Sequence, residues 1–204
     1  KMNVDMNAMK AEVGGAFVLS WMVFGLGLNT LEGAVALAVV WMAFSGAHVL
    51  PIVTWSHMMT GNMSDTEGNW MANGMRLIAQ VVGAVLAILL ATEFGGIDSG
   101  WIHTDMWITD ITADDAAVSI WGVLKMIAAG AIWWQVHTRC DSAWASAFGL
   151  MALASAMTMT GAHEMGASVA SAGEGIVDTL VNWVFDGLFV GAGALLGIKI
   201  DEML

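Results

Sequence analysis

The sequence predicts an all-α membrane protein: six transmembrane helices plus two re-entrant half-helices, built as an inverted repeat. Three observations predict it. Charge is too scarce for a water-facing surface. The basic residues fall on one side of a six-span topology. Two segments 115 residues apart match each other and are followed by stretches too short to span.

The 204 residues are 58% hydrophobic and 12% charged, against roughly 45–50% and about 25% for a soluble domain. A lipid-facing surface explains the deficit. At about 20 apolar residues per crossing, the chain holds about six crossings, hence one membrane domain. Gly is abundant (24) and Pro nearly absent (1), which suits close helix contacts in lipid. The net charge of −12 argues against nucleic acid, whose binding rests on Lys and Arg. With Cys140 alone, no internal disulfide forms.

The apolar runs give the elements in order. They cover Glu12–Leu28, Leu31–Phe44, Trp70–Phe94, Ser119–His137, Ala143–Met157 and Leu180–Ile200. The start of the sequence lacks the pattern of a signal peptide, so the first run is expected to remain as a spanning helix. With the N-terminus inside, Lys1, Lys10, Arg76, Arg139 and Lys199 all fall on the cytoplasmic side. The opposite loops carry Asp98, Asp105, Asp110, Asp114, Asp115, Glu164, Glu174 and Asp178 and no Lys or Arg. Six spans with both termini cytoplasmic satisfy the positive-inside rule; five or seven would scatter the charges. Trp101, Trp107, Trp121, Trp133 and Trp134 lie near predicted helix ends, where Trp favours the membrane interface.

The repeat rests on Ser45-Gly46-Ala47-His48 and Thr160-Gly161-Ala162-His163, each following the second helix of a three-helix set. A second match, Val82-Gly83-Ala84 with Val190-Gly191-Ala192, has an offset of 108. The halves span approximately 8–95 and 117–200. Three helices per half is odd, so the halves enter the membrane in opposite senses. Non-helical backbone at membrane depth is tolerated only where protein buries it or water lines it, so the re-entrant stretches imply a central pathway.

At this point the residues resemble the major intrinsic protein (aquaporin and aquaglyceroporin) family over about Lys10 to Ile200. Lys10-Ala11-Glu12-Val13-Gly14-Gly15 resembles the first-helix opening. Ser45-Gly46-Ala47-His48 with Pro51, Val53 and Thr54 resembles the first signature loop. Ile78-Ala79-Gln80-Val81-Val82-Gly83-Ala84 resembles the third helix and Ala147-Phe148-Gly149-Leu150 the fifth. Thr160-Gly161-Ala162 with Ala167 resembles the second signature loop, and Trp183-Val184 with Val190-Gly191-Ala192 the sixth helix. The chain departs where the family places Asn-Pro-Ala twice: here stand Leu50-Pro51-Ile52 and Met165-Gly166-Ala167, with Ser168 in place of the selectivity Arg.

The resemblance implies a homotetramer with one pore per protomer. It implies that His48, Leu50, Pro51, Ile52, His163, Glu164, Met165, Gly166, Ala167 and Ser168 form the signature loops and line the pathway, Pro51 and Gly166 shaping the half-helix starts. Leu50 and Met165 cannot donate hydrogen bonds, so the middle is expected to be apolar and able to gate by dewetting. Glu12, Gln80 and Lys125 are the structural intramembrane polar residues. Glu12 is expected to hold signature-loop amides, and Lys125 either does the analogous work in the second half or snorkels to an interface. Glu32 and Ala156 are candidate filter residues; the plain reading of Glu32 is a helix-start acid. His163 beside Glu164 reads either as a polar mouth residue or as a proton-sensitive gate.

No histidine pair has the i, i+4 spacing of His-Glu-x-x-His. His57 and His137 fall inside and His103 outside, so no clustered metal site is expected, and no cofactor. No nucleotide fingerprint or catalytic triad is present, so an enzyme is the least favoured class. The expectation is a passive channel in membrane lipid for water or a small neutral solute. The alternative is a non-conducting structural subunit of a larger membrane assembly, favoured by the double loss of Asn. A third class, an ion or acid/base solute conductor, rests on the missing Arg and on Glu32.

Overall fold

The structure, a computed structural model, describes residues 5–96, 120–157, 159–171 and 175–203, and only the backbone at 156 and 157. Asp98, Trp101, His103, Asp105, Trp107, Asp110, Asp114, Asp115, Glu174 and the side chain of Ala156 lie outside the described residues. Among the described residues all regular structure is helical, with eight α-helices.

Helix α1 (Met6–Ser20) starts at Asp5, whose carboxylate accepts from the amides of Asn7 and Ala8, as an N-cap does. It runs into a π-helical turn, Trp21–Gly25. Helix α2 (Thr30–Ala43) is closed at its start by Glu32, which accepts from the Asn29 amide at 3.1 Å. Helix α3 (Pro51–Thr60) has only ten residues; proline fits its first position because that N–H needs no helical partner. A π-helical turn, Thr66–Met71, leads into α4 (Ala72–Glu93). Then follow α5 (Ile120–Arg139), α6 (Ala143–Met157), the nine-residue α7 (Ala162–Ala170) and α8 (Ile176–Asp201). The helical stretches Thr66–Glu93 and Ile176–Asp201 are long and apolar enough to cross a membrane.

Packing pairs α1 with α4, α5 with α8, and α2 with α6. The short helices cross over: α3 packs on α8, and α7 packs on α4. Small residues permit this. A side chain at Gly83 would press into the backbone of Val13 and Phe17 on α1; at Gly130 it would press into Val190 on α8, and at Gly193 into Ile127 on α5. Gly166 of α7 sits against Ala84 and Val85 of α4, and Gly187 of α8 receives the ring of Trp55 from α3.

The buried residues of α4 are mostly small, Ala79, Gly83, Ala84, Ala87 and Ala91 with Gln80, Leu77 and Ile88, while Ile78, Val82, Leu86, Leu89 and Leu90 are exposed.

Candidate functional site

Two short loops lead into α3 and α7, and each is held by a buried acid. In the first, Glu12 is fully buried. Its Oε1 accepts from the His48 amide at 2.7 Å and pairs with Arg76; its Oε2 accepts from the Val49 amide at 2.8 Å and from Gln80 Nε2 at 2.9 Å. Gln80 also donates to Thr54 Oγ1, which lies 3.1 Å from His48 Nδ1. Arg76 reaches the Gly46 carbonyl, and Trp41 Nε1 donates to the His48 carbonyl. Four donors on one carboxylate offset the cost of burying it. The loop they hold is bent hard: Val49, a buried β-branched residue, has φ of 67°, a conformation that persists only where the surroundings enforce it.

The second loop uses other residues. Buried Asp186 of α8 accepts from the Thr160 amide at 2.6 Å. Glu164 accepts from the Gly161 amide at 2.7 Å and pairs with His163 Nε2 at 2.9 Å, placing negative charge at the positive N-terminus of α7. Lys125 is half-buried on α5 and makes no hydrogen bond or ion pair with the described residues. The second loop is thus tethered by Asp186, and of the two roles that the sequence offers Lys125, holding that loop is not seen. The signal was present: Asp186 lies within an apolar run, the feature that marks Glu12.

Two cavities meet the first loop on either side of the His48–Val49 bond, and they are called outer and inner after the sides that the sequence predicts. The outer one, about 330 Å³, is lined by Leu50, Pro51 and Ile52 at the start of α3 and by Gly161, His163 and Glu164 at the start of α7. Residues of α1, the first turn of α2 and the last turns of α6 complete it. The inner one, about 430 Å³, is lined by Trp41, His48, His57, His137, Asp141 and Ser146 among others. The outer cavity meets α2 at Thr30 and the inner one at Trp41, about 16 Å apart at 1.5 Å per residue. On α6 the order reverses, Ser155 outer and Ser146 inner, and Thr30 Oγ1 meets Ser155 Oγ at 2.9 Å. The cavities therefore lie at opposite ends of an antiparallel α2–α6 pair. Between them lies an apolar cluster that includes Leu37, Val40, Ala147 and Leu150, with Val49 at the outer cavity and Val53 at the inner one, all nearly or fully buried.

The expected pathway residues divide between these regions. His48 lines the inner cavity; Leu50, Pro51, Ile52, His163 and Glu164 line the outer one. Met165, Gly166, Ala167 and Ser168 line neither. Met165 packs with Met58, Leu77 and Trp183, Ala167 with Phe24 and Ile88, and Ser168 Oγ bonds Thr179 Oγ1 at 2.9 Å. Glu32 is occupied at the start of α2 and lines neither cavity.

The sequence places His57 and His137 on one side, and the structure brings His48 to them. His48 and His57 stack at 4.3 Å between centroids, only 4° from parallel, and His57 meets His137 edge-on at 6.0 Å. The ends of α3 and α5 create this neighbourhood. Among the described residues, no group of three or more His, Cys, Asp or Glu is placed to hold a metal ion.

Compared with known proteins, the chain matches no family model and no curated protein.

Proposed function

We propose that the chain is a passive transmembrane channel of the aquaporin-like kind, moving water or a small neutral solute between the two cavities. The observation that carries this reading is that the starts of both short helices line one cavity, at the opposite end of the α2–α6 pair from a second. Helix N-termini carry partial positive charge, so two of them beside one path oppose cations and leave neutral solutes free. Further support comes from the packing. Exchanging α1–α4 for α5–α8 exchanges the α1–α4 pair for α5–α8 and the α3–α8 pair for α7–α4, as an inverted repeat requires. The exposed aliphatic face of α4 suits lipid. The reading includes six spans, cytoplasmic termini and a homotetramer.

A second reading, a non-conducting structural subunit, is favoured by the buried apolar cluster between the cavities. Stopped-flow light scattering on proteoliposomes under an osmotic step, then under a glycerol gradient, separates the two. The channel reading expects shrinkage well above empty liposomes, abolished by Leu50→Trp in the outer cavity. Permeability equal to that of empty liposomes, from folded protein, ends it and leaves the structural subunit.

A further inference from the structure

The inner cavity has chemistry that a water path does not need. His57 stacks on His48 and meets Trp134 and His137 edge-on, yet neither of its ring nitrogens is hydrogen-bonded to a described residue. A neutral imidazole has one donor nitrogen and one acceptor nitrogen. Both of these are left for whatever occupies the cavity. Its neighbours are anchored from behind: His48 Nδ1 by Thr54 Oγ1 at 3.1 Å, and His137 Nδ1 by Ser146 Oγ at 2.6 Å. Each therefore leaves one ring nitrogen, Nε2, without a partner. Trp41 adds an indole to the lining, and Asp141 stands at the exposed rim. Of the cations beside the cavity in sequence or space, Arg76 pairs with Glu12 and Arg139 with Asp201.

This lining discriminates among ligands. An anion finds no unpaired cation. A metal ion needs several converging protein ligands, and among the described residues no group of three or more His, Cys, Asp or Glu is placed to supply them. A small cation with several N–H donors fits, because separate acceptors each take one hydrogen while aromatic faces stabilise the charge.

We propose that the inner cavity binds a small protonated amine, ammonium or a short primary ammonium, through His57 with the rings of Trp41 and His137. The site stands apart from the channel reading, since binding there requires no passage through the apolar cluster.

The test uses the purified full chain in nanodiscs, titrated calorimetrically with methylammonium at constant ionic strength. Saturable binding is expected, at least about tenfold weaker in His57→Phe and unchanged in Leu50→Trp. Tetramethylammonium, which has the charge but no N–H, should bind at least about tenfold more weakly than methylammonium. Should His57→Phe not fold, His137→Phe is read by the same criterion. No saturable binding by folded wild-type protein overturns the proposal. So does equal affinity for tetramethylammonium or sodium, or undiminished binding by the folded variant. Absence of flux would end the channel reading and leave this one standing.

Discussion

A carboxylate offers about four lone-pair positions, and Glu12 fills all four, two donors on each oxygen. Removing it leaves two loop amides and the Arg76 guanidinium without their acceptor. Breaking a buried pair from one side costs about 3–5 kcal/mol, so Glu12→Ala should lose about that much in denaturant unfolding in detergent. Glu12→Gln should lose nearly as much, because its amide nitrogen would face two donors on one side. A Gln variant within about 0.5 kcal/mol of wild type would show that the geometry around Glu12 contributes little. Glu12 is legible in the sequence because a charge inside an apolar run demands a reason. His57 is not. Its partners come from the loop before α3 and from the far end of α5, and no spacing along the chain encodes that meeting.

At the scale of elements, the helix–helix seams are set by glycines whose neighbours are backbone atoms and cannot step aside. Gly130 faces the Val190 carbonyl and Gly193 faces the Ile127 carbonyl, so α5 and α8 touch at both points. Gly193→Ala should force this pair apart and cost about 1–3 kcal/mol by overpacking. Gly74, also in a helix, has open space where a side chain would stand. Gly74→Ala should therefore stabilise by about 0.5–1 kcal/mol through backbone entropy alone. Thermal unfolding of both variants in one detergent checks the contrast; equal effects would remove the packing argument. The helices themselves are readable from the apolar runs, and the two short ones from the matched Gly-Ala-His segments. What α7 presents to the cavity is not readable. The resemblance places the half-helix start at Gly166, but α7 begins four positions earlier, at Ala162, so Met165 and Ser168 stand within the helix and pack on its neighbours, where Gly166 allows close approach to α4.

At the scale of the molecule, the two cavities and the cluster between them decide whether anything passes. The sequence points to an apolar middle through Leu50 and Met165, but the residues at the centre are instead Leu37 of α2 and Leu150 of α6, each almost without exposed surface. Neither differs in type from exposed leucines such as Leu31 and Leu86, so only the packing of α2 on α6 distinguishes them. An apolar constriction excludes water until it widens enough to wet. If this cluster is the barrier, Leu37→Ala with Leu150→Ala should raise osmotic water permeability several-fold over wild type in proteoliposomes. The same change should destabilise the protein by about 2–5 kcal/mol per site through the lost packing. Each single variant should raise permeability less than the pair, because one remaining leucine still narrows the path. Unchanged permeability in a folded double variant would place the barrier elsewhere, at Val49 and Val53 of the first loop and α3. A rise in permeability that Leu50→Trp then abolishes would join the outer cavity, the cluster and the inner cavity into one route.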